Sequence, residues 1–188
     1  MEIDMTGILA VQGDFEEHAA MLARVGEECF EIRQKSDLDR PFDRLILPGG
    51  ESTVQEKLIK NLGMYDIIKK RIEDGTPVLA TCAGLILLAR EVANDDRRCF
   101  MTLPVTVRRN AYGRQLGSFR TYGKFGEFED VPMEFIRAPY VEAADDEVEI
   151  MSVTDGKITA VRYKNQLALA YHPELCGDTR VFEYFLSI

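Results

Sequence analysis

A cysteine set where a strand gives way to a helix is the residue of this 188-residue chain best placed to do chemistry. Val78-Leu-Ala80 reads as a buried strand and Gly84 to Arg90 as a helix, with Thr81-Cys82-Ala83 turning between them. That is the layout of a nucleophile elbow, with Cys where hydrolases carry Ser. The turn is sharp, so its neighbours must be small, and Ala80, Ala83 and Gly84 are. A helix N-terminus behind the sulfur favours the thiolate, the nucleophilic form. An ordinary thiol, with a pKa of about 8.5, is only a few per cent ionised at neutral pH and gains from a nearby base. Buried cysteines usually just fill space, and Cys29 and Cys99 are read that way. Cys82 is set apart by its strand-Cys-small-Gly-helix context.

The base must come from one of two histidines. His172 stands in Tyr171-His172-Pro173-Glu174. In an extended segment residues i and i+2 project to one side, and Pro173 stiffens the backbone between them. Glu174 can then hold one ring nitrogen, fixing the tautomer and stabilising the imidazolium, while the other nitrogen faces Cys82. Alone, His-Pro-Glu fits a satisfied structural histidine equally well; the cysteine elbow gives it weight. His18 falls on an apolar helical stripe with Phe15, Ala19 and Leu22, so packing is the better reading there. Pro48-Gly49-Gly50-Glu51-Ser52 also follows a strand and opens a helix. It could be a simple turn or an anion site, but it matches neither glycine-rich nucleotide fingerprint. An oxyanion hole built from the N–H groups of Gly50 and Ala83 suits thiol chemistry better.

The elements that must position these residues alternate. Thr6–Gln12, Cys29–Arg33, Leu45–Leu47 and Val78–Ala80 are short apolar runs with little alternation, as in strands covered on both faces. Between them lie helical stripes; one is Val54, Leu58, Ile59 and Leu62, opened by a Thr53/Glu56 capping box. The expected fold is α/β: a three-layer, flavodoxin-like, mostly parallel sheet with helices on both faces. The second half adds short strands at 105–108, 134–137, 148–153, 158–163 and 167–171, with 109–126 a long loop or irregular hairpin and a last helix from about Asp178. The expectation is a single domain over residues 1–188.

Composition narrows the function classes. Apolar residues make up 46% and charged residues 29%, ordinary for a globular protein, and 23 basic against 32 acidic residues give a net charge of −9. That charge speaks against a nucleic-acid partner or an anionic membrane surface. No two of the four cysteines form a C-x-x-C pair, so neither a zinc knuckle nor a disulfide framework is indicated. The longest uncharged stretch, Gly75 to Ala89, is too short to span a bilayer. A cytoplasmic protein is expected.

Six segments in order, Gln12-Gly-Asp14 with Glu17-His18, Pro48–Thr53, Thr81–Ile86, Arg109-Asn-Ala-Tyr-Gly-Arg-Gln115, Phe135-Ile-Arg-Ala-Pro139 and His172-Pro-Glu-Leu175, resemble the glutaminase subunits of pyridoxal 5'-phosphate synthase, within the class I (triad) glutamine amidotransferases. The 109–115 and 135–139 segments point to that branch rather than to amidotransferases serving other synthases. The resemblance implies that Cys82 is the nucleophile, His172 the general base and acid, and Glu174 the orienting carboxylate. It implies that Gly50, Glu51, Ser52, Arg109, Ile136 and Arg137 bind glutamine, Arg109 by a bidentate grip on the α-carboxylate. No metal or organic cofactor is implied. The implied partner is a (β/α)8-barrel synthase subunit in a hetero-oligomer, which would receive the ammonia and without which the glutaminase is largely idle. Ala80 stands where the family usually has Gly, Cys176 where it has Thr, and Gly117 and Arg120 where acidic residues are usual. The alternatives are a triad amidotransferase serving another synthase, a cysteine hydrolase acting on peptides or esters, and a non-catalytic glutamine-binding module.

Overall fold

Apolar runs without alternation become the strands of a sheet buried on both faces. In the computed structural model, which describes residues 5–109 and 117–188, β1 (Met5–Leu9), β3 (Arg44–Leu47) and β4 (Val78–Thr81) are almost wholly buried. Together with β2 (Glu28–Ile32) and β12 (Gln166–Leu169) they form a parallel block in the order β2-β1-β3-β4-β12. Flanking helices are α1 (Phe15–Arg24), α2 (Ser52–Asn61), α3 (Tyr65–Glu73), α4 (Ala83–Leu88) and α5 (Arg180–Leu186). The chain reverses direction of winding beside β1, the kind of switch point where open α/β sheets bind ligands. None of the described helices is long and apolar enough to cross a membrane.

Beyond β12 the sheet turns mixed. β5 (Ala89–Val92), β6 (Leu103–Arg108), β9 (Tyr140–Ala144) and β11 (Lys157–Tyr163) extend it, and β10 (Glu149–Thr154) pairs with β11. A separate antiparallel ribbon, β7 (Ser118–Phe125) and β8 (Phe128–Ile136), replaces the second part of the expected loop or irregular hairpin and runs on past it. The ribbon is tied back by a Ser152 hydroxyl to the Lys124 carbonyl, 2.7 Å, and by the His172 N–H to the Glu134 carbonyl, 2.8 Å. The helix expected over 84–90 ends at Leu88 because Ala89 onward pairs in parallel with β6.

Two further sequence expectations are corrected. The inward residues of α2 are Ser52, Gln55 and Ile59, whereas Val54 and Leu62 are exposed. Its cap is the Glu51 carboxylate, which accepts from the N–H groups of Thr53 and Val54 at 3.2 and 2.9 Å, in place of a Thr53/Glu56 box. Buried Gln55 is a brace. Its Nε2 donates to the carbonyls of Gln12 and Pro48, at 2.9 and 3.1 Å, and so holds the loop after β3 against the loop after β1.

Gly84 fixes how closely α4 sits on the sheet. A Cβ there would lie 2.1 Å from the Leu47 carbonyl oxygen and 3.1 Å from the Ala80 methyl. Ala80 is accommodated because position 84 has no side chain. Gly84→Ala must push α4 off β3, and overpacking of this kind costs about 1–3 kcal/mol. Urea unfolding is expected to show that loss; an unchanged midpoint would contradict the close approach.

Candidate active site

The loops after β1, β3, β4 and β12 meet at the carboxyl edge of the parallel block. Cys82 directly follows β4, and its N–H donates to the Leu169 carbonyl of β12 at 2.8 Å. Cys82 has φ 47 and ψ −97, a positive-φ conformation that a side chain adopts only when its surroundings impose it. This is the strain of a nucleophile elbow. The thiol is buried and points toward the Ile136 carbonyl, 3.9 Å away.

His172 follows β12 and is held from several directions. Its Nδ1 lies 2.6 Å from Glu174 Oε1 and 2.9 Å from Asp14 Oδ2. With Nδ1 taken, Nε2 is the nitrogen left for the Cys82 sulfur, which lines the same cleft. Cys176 Sγ donates to the His172 carbonyl at 3.3 Å, a structural use for the Cys that stands in place of Thr. Glu174 does not lie in an extended segment as expected. It sits in a 3₁₀ turn, Pro173–Leu175, that His172 precedes and Pro173 starts. Proline suits the first position of such a turn, and the turn still brings the carboxylate onto the ring.

Burial works against a charge on His172, yet its neighbours Asp14, Cys82 and Glu174 overcome it and hold the imidazolium well above its ordinary range. Burial pushes Glu174 up, reinforced by the neighbouring Asp14 carboxylate and opposed by His172. Asp14 moves the other way: burial raises it, but hydrogen bonds to His172 and Glu174 prevail and keep it ionised. Following Gly13 just ahead of a helical stripe, Asp14 reads from the sequence as a turn and helix-cap residue. Its side chain makes no capping bond. The signal that could have found it is its place after β1, one of the strand ends where this fold puts its ligands.

His18 packs near Phe182, ring centroids 5.7 Å apart, and is fully buried. It also belongs to the site's surroundings. Its Nε2 is 3.0 Å from Thr81 Oγ1 and 3.6 Å from Glu174 Oε2. Thr81 Oγ1 in turn accepts the Gly49 N–H at 3.0 Å. Burial lowers the His18 pKa to about 4, with Asp14 opposing and His172 adding to the shift, so the ring is neutral at neutral pH.

A cleft of about 520 Å³ opens over the sulfur, and Gly50, Glu51, Ser52, Arg109, Ile136 and Arg137 all line it with Cys82 and His172. The size suits a small ligand. Gly50 has φ +151, and a Cβ there would come within 2.5 Å of Gln12 Oε1, so only glycine fits. Ala83 follows Cys82 directly and is buried. Arg109 is already engaged: Nη1 bonds Asp95 at 2.7 Å and Nη2 lies 3.4 Å from Glu51. A ligand carboxylate there must share or displace these acids. The rest of the 110–115 segment lies outside the described residues. Gly117 and Arg120 flank and enter β7, where Arg120 pairs with Glu134. Asp14, His172 and Glu174 offer three metal-type ligand atoms within 4.8 Å, but those atoms are already joined by the hydrogen bonds just described.

A model of the SNO glutamine amidotransferase family matches residues 8–188. The chain is 56% identical over 181 residues to the pyridoxal 5'-phosphate synthase subunit PdxT of Desulfitobacterium hafniense, covering 96% of this chain and 91% of that protein. It is 49% identical to the subunit of the same name from Bifidobacterium longum, covering 98% and 100%. A solved structure described as a glutamine amidotransferase superposes with a TM-score of 0.91 at 38% identity, covering 97% of both chains. The solved structure of PurLQS from Thermotoga maritima shares the fold, with a TM-score of 0.66 at 18% identity, over 100% of this chain and 99% of that one.

Neutral, buried His18 sets a pH dependence. Its folded pKa of about 4 lies below the ordinary 6.5, so the unfolded chain binds the extra proton and stability falls as pH drops from 6.5 through 4. The full effect is about 3 kcal/mol. Urea unfolding from pH 7.5 to 4.5 is expected to show a shallower fall for His18→Gln than for wild type. Parallel curves would contradict it.

Proposed function

Because the chain belongs to the SNO glutamine amidotransferase family, we propose that it works as the glutaminase subunit of a pyridoxal 5'-phosphate synthase, hydrolysing L-glutamine to glutamate and ammonia. The observation that carries the reading is that Cys82 and His172 line one ligand-sized cleft, with the Glu174 carboxylate on His172 Nδ1 at 2.6 Å behind it. The whole of residues 1–188 acts as one glutaminase domain, in the cytoplasm.

Each step follows from a group in place. The Cys82 thiolate attacks the side-chain amide carbon, and the carbonyl oxygen takes up the negative charge. The N–H groups of Gly50 and Ala83 stabilise that oxyanion; one such donor is typically worth about 100–1000-fold in rate. His172, held as imidazolium by its carboxylate partners, gives its proton to the leaving ammonia as the carbon–nitrogen bond breaks. A γ-glutamyl thioester remains on Cys82. Neutral His172 then takes a proton from water, the hydroxide attacks the thioester, and glutamate leaves as the thiolate re-forms. Arg109 and the Ile136-Arg137 backbone hold the amino-acid end, with Arg109 exchanging its Asp95 and Glu51 contacts for the substrate α-carboxylate. That exchange gives a physical reason for low activity in isolation. Ammonia passes to a (β/α)8-barrel synthase subunit, which makes the vitamin B6 cofactor.

Ammonia release from glutamine, measured with and without a pyridoxal phosphate synthase barrel, tests this. The expected result is strong activation by the barrel and a drop of at least about 10³-fold on Cys82→Ala. Equal turnover without the barrel would defeat the coupling, and full activity in Cys82→Ala would defeat the reading itself.

A further inference from the structure

A triad needs one carboxylate on its histidine, and this chain supplies two. Nδ1 of His172 has a single N–H to give. Glu174 Oε1 takes it at 2.6 Å and Asp14 Oδ2 at 2.9 Å. Oxygens of the two carboxyl groups lie within 4.8 Å of each other. Their outer oxygens, Asp14 Oδ1 and Glu174 Oε2, are buried without a hydrogen-bond partner. Two carboxylates this close around one N–H are disfavoured in their doubly ionised form, and the ordinary resolution is one proton held by the pair. Asp14 is not there for the helix it precedes, since its side chain caps nothing. Its N–H donates to the Gly49 carbonyl at 3.2 Å, which fastens it to the glycine loop.

We propose that Asp14 is a second positioning carboxylate of the triad: it shares the Nδ1–H of His172 with Glu174, and the two acids hold one proton between them. The proposal rests on the glutaminase reading for its consequence, but its geometry does not depend on the substrate. With one shared proton the pair carries a single negative charge, enough to balance one imidazolium. Either acid can then hold the ring when the other is neutralised. The titratable groups around the ring are Asp14 and His18 on the α1 side, Cys82 at the elbow, and Glu174 and Cys176 on the following turn. Of these His18 is neutral near pH 7. The cations Arg109 and Arg137 line the cleft beyond the sulfur.

The consequence is redundancy. Asp14→Asn leaves Glu174 ionised in place of the shared pair, and Glu174→Gln leaves Asp14 ionised. Each single variant keeps one negative charge on Nδ1. Only the double variant strips the ring of both. The test compares wild type, Asp14→Asn, Glu174→Gln and the double variant. The first readout is the rate at which iodoacetamide alkylates Cys82, followed from pH 5 to 9 by mass spectrometry of the Cys82 peptide. This needs neither glutamine nor the synthase, so it stands whether or not the glutaminase reading does. Wild type and both single variants are expected to be alkylated at Cys82 at rates within a few-fold of one another. The double variant, whose ring has lost both carboxylates, should be alkylated at least about tenfold more slowly.

The second readout is glutamine turnover in the complex with the synthase, with Cys82→Ala as the blank. Each single variant should lose about tenfold in kcat or less. The double variant should lose about 10⁴-fold, the scale of removing a triad's orienting carboxylate, with KM little changed. A Glu174→Gln variant as unreactive toward iodoacetamide as the double overturns the proposal. So does a double variant no worse than Glu174→Gln alone. Absence of turnover in wild type with alkylation behaving as expected would instead count against the glutaminase reading and leave the shared-proton pair standing.

Discussion

One imidazole holds this site together. His172 stands between a sulfur on one side and two carboxyl groups, one buried and one half-buried, on the other, and each partner comes from a different stretch of chain. The cysteine follows β4, Asp14 follows β1, and Glu174 sits in the turn just after β12. They meet only because those strands run parallel with their carboxyl ends at one edge. The sheet is the instrument that turns distant residues into neighbours, and the ring is where its order is read out in chemistry.

Two constraints keep that meeting tight. The elbow must be sharp, which forces Cys82 to a positive φ and demands no side chain at Gly84. The charges must balance, because an unpaired ion in a buried site is costly. The structure answers the second with a neutral His18 and with an imidazole ring bonded to two acids. The polar braces serve the same end. Gln55 pins the glycine loop, and Thr81 links that loop to His18 and through it to Glu174. Away from the sheet, the β7–β8 ribbon closes the cleft's far side by bringing Ile136 over the sulfur.

Much of this was legible in the residues. Continuous apolar runs marked β1, β3 and β4, since strands covered on both faces need no alternation. Small residues around Cys82 marked the elbow, and His172 with Glu174 stood out as the one histidine in a stiff local frame. The misses have physical causes. Ser118–Phe125 alternates only weakly and carries Gly123, and Tyr140–Ala144 is rich in Ala and Glu, poor strand formers whose pairing is decided by their neighbours. Ala89–Val92 continues a helical pattern yet is captured by β6. Val54 and Leu62 look like core by spacing but face outward, while polar Gln55 faces in to brace a loop. Asp14 was hidden for a plainer reason: a carboxylate after a glycine is a turn residue by every local rule, and only the fold brings it to a histidine 158 positions away.

The covalent intermediate tests the central claim most directly. Protein mixed with glutamine and the synthase barrel, quenched in acid within the first turnovers and digested, should carry a γ-glutamyl group on the peptide containing Cys82. Ammonia released with no adduct on Cys82, or with the adduct on another cysteine, would contradict a reaction organised around that sulfur and that ring.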